Sequence, residues 1–247
     1  MISEWLIPWR DRGDSGAVRD NFLFKSGPVY VMDNHRLALW CWWQHLEECP
    51  SWSYRHIDRH YDALWHQTNP WSKHSTPEHR SDLRAFREAR WPIDPGGSTE
   101  LYRWDTITSA LLCLHRAQID EVSLATADEG DRPLISRHMD IDPWELLGHL
   151  RFLSEEPVQP MHRNIVDIDI DYFTHHDLDG PFGQVFSDAY IASVGESLQR
   201  GIESGSFGVV TIALSPSTTG SWQLAERIAA RLLEPLGLAA AFASGAP

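Results

Sequence analysis

Residues 164–173 read NIVDIDIDYF, an apolar run in which every second position from 167 to 171 is an acid. Successive side chains of a strand point to opposite faces, so Asp167, Asp169 and Asp171 would share one face while Val166, Ile168 and Ile170 occupy the other. Buried bare, three carboxylates would be driven up in pKa or would cost many kcal/mol. Arg163 is the nearest cation in sequence, and one guanidinium does not balance three acids. The run therefore predicts a strand whose acidic face meets cations supplied from elsewhere.

Around it, short β-branched runs alternate with helical patterns. PVYVM at 28–32 precedes the helix pattern DNHRLALWCWWQHLEE, with Asp33 or Asn34 as its cap and Trp40, Trp42 and Trp43 as core. WSYRHID at 52–58 reads as a strand, the turn-rich stretch from Ala63 to about Pro77 as a loop, and EHRSDLRAFREA at 78–89 as one charged helix. LYRWDTITSALLCLHRAQI predicts a helix leading into the strand EVSLAT, and DPWELLGHLRFL a helix capped by Asp142 with Pro143 in its first turn. After the acidic run, where His175 and His176 read as loop residues, come the helix DAYIASVGESLQRGIE, the strand GVVTIAL and the helix SWQLAERIAARLLEPLG. The tail LAAAFASGAP is expected to fray. This order predicts an α/β fold: a mostly parallel sheet covered on both faces, α/β/α in three layers, as a single domain over 1–247 with its core at about 28–235.

Acidic side chains number 35 against 21 basic, a formal charge of −14, which repels nucleic-acid phosphates and anionic membranes and attracts cationic ligands. The three cysteines have no C-x-x-C spacing, which disfavours a disulfide framework or a cysteine zinc site and fits a reducing cytoplasm. No window approaches membrane-spanning length and the N-terminus lacks a signal pattern, so neither secretion nor membrane insertion is expected. Some of the 12 tryptophans are available to line a groove for an extended partner.

In parallel sheets ligands gather at the carboxyl ends of the strands. Three clusters belong there: Asp33 and His35 after PVYVM, Asp58, His60 and Asp62 in HIDRHYD, where strand alternation would aim all three the same way, and the acids of VDIDIDYF. Oxygen and imidazole donors without thiolate suit Mn²⁺, Mg²⁺, Zn²⁺ or Fe²⁺, and the excess of carboxylate favours Mn²⁺. More than four donors suggests two ions, roughly 3.5–4 Å apart in hydrolases of this kind. Two plainer readings compete: a salt-bridged surface turn of Asp58, His60 and Asp62 with Arg55 and Arg59, and a helix-start role for His35.

His35, DRHYD as a D-x-H-x-D signature and DIDID as a D-x-D signature, in this chain order, resemble the arginase and ureohydrolase superfamily. VYVMDNHRLALWCW, HIDRHYD, VDIDIDYF and TIALSPSTTGSW are more closely similar to a small arginase-like family. Its bacterial members include peptide arginases, which convert arginine to ornithine in ribosomally made precursor peptides. The resemblance covers roughly residues 28–235 and implies an arginase-like three-layer fold with two Mn²⁺ ions. It implies His35, Asp58, His60, Asp62, Asp169 and Asp171 as metal ligands, with Asp58 and Asp169 bridging, His35 and Asp62 on one ion, and His60 and Asp171 on the other. The triple repeat also permits Asp167 with Asp169; the later pair leaves Asp167 to orient a ligand. The chain departs from arginases in having VMDNH around the first histidine and DYF after the acids. No motif locates the proton-transfer histidine, for which His66, His74 and His79 are candidates, or the carboxylate that holds the guanidinium, for which Asp128 and Glu129 are candidates.

The implied activity is hydrolysis of arginine side chains in a peptide to ornithine and urea, with an arginine-containing precursor peptide as partner. Alternatives are an agmatinase-like or other metal-dependent amidohydrolase, a one-zinc deacetylase, and a metal-stabilised peptide-binding protein without turnover. The hydroxyls of SPSTTGSW read equally as pocket lining and as a helix cap.

Overall fold

The structure, a computed structural model, describes residues 2–246 except 16–18, 67–68, 94–95, 135–137, 157–159, 176–179 and 181. His176, part of the turn-rich stretch at 67–68 and the last residue of the tail thus lie outside the described residues. Strands β1 (Ser3–Ile7), β2 (Leu23–Ser26), β3 (Val29–Met32) and β4 (Ser51–Ile57) precede a hairpin, β5 (Arg90–Ile93) and β6 (Gly97–Glu100). Next are β7 (Ile119–Ala125), β8 (Met139–Asp140), β9 (His162–Asp169), the small hairpin β10 (Thr174–His175) and β11 (Gly183–Gln184), and β12 (Phe207–Ala213). One sheet has the order β1-β2-β3-β12-β9-β4-β7-β8. From β3 to β8 every pairing is parallel, while β1 and β2 form an antiparallel margin. The expected mostly parallel α/β sheet is present.

The helices are α1 (Leu37–Trp43), α2 (Pro70–His74), α3 (Pro77–Ser81), α4 (Leu83–Glu88), α5 (Ile107–His115), α6 (Leu146–Glu155), α7 (Asp188–Ser204), α8 (Pro216–Thr219), α9 (Trp222–Leu233) and α10 (Ala239–Ala243). On one face of the sheet, α6, α7, α9 and α10 pack against Val166, Ile168, Val210 and Ile212. On the other, α1 and α5 pack with Ile165, Val209 and Tyr54, and Trp40, Trp42 and Trp43 are buried there as expected. Period two divides β9 between these cores, placing Asp167 beside the α1/α5 face and Val166 and Ile168 on the opposite side. Among the described residues no helix is long and apolar enough to cross a membrane.

Several sequence expectations are corrected. β9 stops at Asp169, whose carboxylate accepts from Asp171 N at 3.1 Å and caps a 3₁₀ turn over Ile170–Phe173, so Asp171 leaves the strand. β4 likewise stops at Ile57, and a loop rather than strand alternation brings Asp58, His60 and Asp62 together, with Asp62 at φ 47°. Neither Asp33 nor Asn34 caps α1, whose N-cap is Arg36. Their side chains hold the preceding segment instead: Asp33 accepts from Asn21 N and Phe22 N, and Asn34 Nδ2 donates to Ser15 O.

The charged helix is two, because Asp82 leaves helical geometry to accept from Ala85 N as the cap of α4. The turn-rich loop contains α2, started by Asn69. α6 begins three residues after Pro143, with Glu145 as its N-cap. The tail does not fray: α10 buries Phe242 among Trp5, Trp9, Phe22 and Phe24, which belong to the unforeseen β1–β2 margin and its connection.

Candidate metal centre

β3, β12, β9 and β4 are consecutive neighbours in one parallel stretch, so their carboxyl ends form a continuous rim. His35 follows β3, Ser215 follows β12, Asp169 ends β9, and Asp58 follows β4. His35 Nδ1 lies 2.9 Å from Asp62 Oδ2, 3.3 Å from Asp58 Oδ2 and 3.4 Å from Asp169 Oδ2. His60 Nδ1 lies 3.3 Å from Asp58 Oδ1 and 3.2 Å from Asp171 Oδ2. Two sets of donors thus overlap at Asp58, one around His35 and one around His60. Donor atoms of Asp58, Asp169 and Asp171 also lie close enough together to share one ion. The structure therefore brings together His35, Asp58, His60, Asp62, Asp169 and Asp171, all but the buried Asp58 lining a cavity of about 270 Å³ together with Trp104, Ser215, Ser217 and Thr218.

His35 Nδ1, Asp58 Oδ2, Asp62 Oδ2 and Asp171 Oδ2 are buried and make no hydrogen bond among the described residues. They are near one another but misaligned for sharing protons, as expected when lone pairs face a common centre rather than each other. Buried groups of this kind need a cation, and the donor set of imidazole and carboxylate fits a divalent one.

Asp167 sits behind His35. It accepts from His35 Nε2 at 2.9 Å, His56 Nδ1 at 2.8 Å, the Tyr54 hydroxyl at 3.0 Å and the Thr211 hydroxyl at 2.7 Å. With its Nε2 proton held there, His35 presents the Nδ1 lone pair to the carboxylates. Asp169 and Asp171, and not Asp167, are the acids of this run that face the shared centre. Ser215, itself at φ 39°, donates to Asp169 Oδ2, and Ser221 caps α9 by accepting from Leu224 N, so the hydroxyls of SPSTTGSW serve both pocket and cap.

Charge is unbalanced at the centre. Burial, then the neighbouring Asp58, pushes the Asp62 carboxyl up to about 7. Burial, with Asp171 and Asp58 adding to it, holds Asp169 well above the carboxylate range, and burial with Asp58 also raises Asp171. For Asp58 burial works in the same direction, but the imidazoles of His35 and His60 close beside it overcome this and leave the carboxyl well below its ordinary value. His60 resists the lowering effect of burial because the carboxylates of Asp171 and Asp58 lie against its Nδ1, and it is pushed up to about 11. Protons stand here in the place of missing positive charge, and a divalent ion would displace them.

The surface-turn reading is overturned: Asp58 and Asp62 are 0% and 4% exposed, and Arg55 turns away to Asn164, Ser123 and Glu121. The other candidates lie apart from the donors. His74 ends α2 and does not line the cavity. His66 packs against Trp71 and Trp91, and His79 Nδ1 meets the Tyr102 hydroxyl; neither lines the cavity. Asp128 is exposed and bonded to Tyr61 and Arg132. Glu129 comes nearer, with Oε2 3.5 Å from His60 Nε2 and 3.4 Å from Arg59 Nε.

Sequence reasoning missed His56, Tyr54, Thr211 and Trp104. His56 and Tyr54 carry a signal in retrospect, since they share with Asp58 the period-two face of β4. Thr211 pairs with Asp167 through the β12–β9 register, which no local pattern announces. No protein-family model matches the chain, and no curated protein matches it in sequence.

Proposed function

We propose that the chain is a binuclear-metal hydrolase that cleaves the guanidinium of arginine side chains in a peptide to give ornithine and urea, with two Mn²⁺ ions as cofactor. The observation that carries this reading is the convergence of His35, Asp58, His60, Asp62, Asp169 and Asp171 at the rim of one cavity, with buried donor atoms lacking hydrogen-bond partners. His35 and Asp62 would hold one ion, His60 and Asp171 the other, and Asp58 and Asp169 would bridge them. Together with the resemblance of HIDRHYD and VDIDIDYF to the arginase signatures, this makes ureohydrolysis the best-supported reaction. Ions bound there would supply a water nucleophile deprotonated near neutral pH.

The chain's own residues favour a cationic substrate. Asp62 and Asp171 reach the cavity, and Trp104 offers an indole at its wall. Among the described residues lining the cavity there is no lysine or arginine to pair with the α-carboxylate of free arginine. A peptide-borne arginine lacks that charge, and so does agmatine, which keeps an agmatinase-like activity as the second reading.

Urea release from an arginine-containing peptide, agmatine and free arginine, measured with Mn²⁺, tests both. The expected order is peptide first and free arginine last. D58N and D169N are each expected to lose manganese loading and urea release together; urea production retained in either variant contradicts the assignment. Full manganese loading without urea from any of these substrates would instead indicate a binding protein or a different amidohydrolase.

A further inference from the structure

The two histidines of the centre differ in how openly they are supported. His35 has Asp167 behind it, wholly buried and bonded to its Nε2. His60 directs Nδ1 at Asp58 and Asp171, so its proton must sit on Nε2 if Nδ1 is to donate to an ion. That proton needs an acceptor.

We infer that Glu129 is the positioning residue of His60, the counterpart of Asp167 behind His35; the inference rests on the two-ion reading. Main-chain pairing between β4 and β7 continues beyond both strands. Asp58 N donates to Ala125 O at 3.1 Å, Ala127 N to Arg59 O at 3.1 Å, and Tyr61 N to Glu129 O at 3.0 Å. This ladder registers Glu129 directly against His60, as a parallel bridge. Backbone register thus sets Glu129 beside His60, and its carboxylate reaches to 3.5 Å from Nε2.

Arg59 supplies a second reason for the carboxylate to stay. Its guanidinium is buried, with Nε and Nη1 lacking hydrogen-bond partners among the described residues, and Glu129 Oε2 stands 3.4 Å from that Nε. Glu129 thus lies between two donors, Arg59 Nε and His60 Nε2, and a small closure would make both bonds. Arg59 also stays 4.0 Å from Asp171 Oδ2, so this pair ties the His60 and Asp171 side of the centre together. Asp128, one residue earlier, is turned outward at φ 62° and cannot take this place.

Calorimetric titration of the full chain with Mn²⁺ tests the inference by resolving stoichiometry and both affinities. The unaltered chain is expected to bind two ions. E129A is expected to weaken one of them by about 10–100-fold, the magnitude typical of losing a carboxylate behind a ligating histidine, and to leave the other unchanged. E129Q keeps an acceptor oxygen without the charge and should fall between. Because the Glu129 side chain is 45% exposed, metal-free melting temperatures should stay close to that of the unaltered chain. Unaltered affinities for both ions in E129A, or a loss in E129Q as large as that in E129A, would overturn the role assigned to Glu129 while leaving the centre intact. Failure of the unaltered chain to bind manganese would overturn the centre itself, and the inference with it.

Discussion

Asp167 makes no approach to the shared centre, yet its replacement should be felt there. Four donors converge on it, and the strongest consequence is the fixed His35 ring. D167N replaces one acceptor oxygen by an amide that competes as a donor, so the His35 tautomer is no longer imposed. Manganese affinity is expected to fall about 10–100-fold with both ions still able to bind, in contrast to the loss of loading in D58N; an unchanged titration would sink this role. The residues that converge at the centre were legible because D-x-H-x-D and D-x-D gather more carboxylates than the neighbouring cations in sequence can balance. His56, Tyr54 and Thr211 were not, since each meets Asp167 only through strand register, and a hydroxyl or neutral imidazole in a strand carries no such penalty to betray it.

At the scale of elements, the alternation of β-branched runs and helical patterns sufficed for the parallel sheet, while the ends of elements did not follow from it. β4 and β9 stop short of their sequence periodicity, at Ile57 and Asp169, because Asp58 and Asp169 engage the backbone: Asp58 Oδ1 accepts from His60 N at 2.6 Å and Asp169 Oδ1 from Asp171 N at 3.1 Å. These local bonds compete with strand geometry and turn the following residues into the cavity. α10 escaped notice for a different reason: five residues have little helical signal of their own and are held by tertiary burial. Phe242 stacks at 5.9 Å on Trp5 and sits 5.3 Å from Trp9, on the face of the sheet opposite α1 and α5. F242A is expected to cost about 3–5 kcal/mol in denaturant unfolding while leaving manganese affinity unchanged. A loss below roughly 1 kcal/mol would show that α10 does not complete the core.

Across the whole molecule, the proposed metal binding would be linked to stability through the same carboxyls. Asp62 is raised in the folded chain to about 7 from an ordinary value of 3.8, and Asp169 and Asp171 are raised with it. A carboxyl raised on folding holds its proton more tightly in the folded than in the unfolded state, so its contribution to metal-free stability declines as pH rises from the unfolded value through the folded one. On the two-ion reading manganese would reverse the balance, since its binding would require these protons to leave and replace them with positive charge. Stabilisation by an ion follows from mass action and reaches about 2.7 kcal/mol at 100 times its dissociation constant. The difference in melting temperature between manganese-saturated and metal-free protein should therefore grow from about pH 5 upward, at fixed Mn²⁺, and less steeply above about pH 7, where the Asp62 proton is lost unaided while the His60 proton, held up to about 11, still has to be displaced. D62N, which cannot ionise at that position, should show a smaller increment and a weaker rise over the same window. An increment independent of pH in the unaltered chain would mean that the raised carboxyls are not the groups that meet the metal.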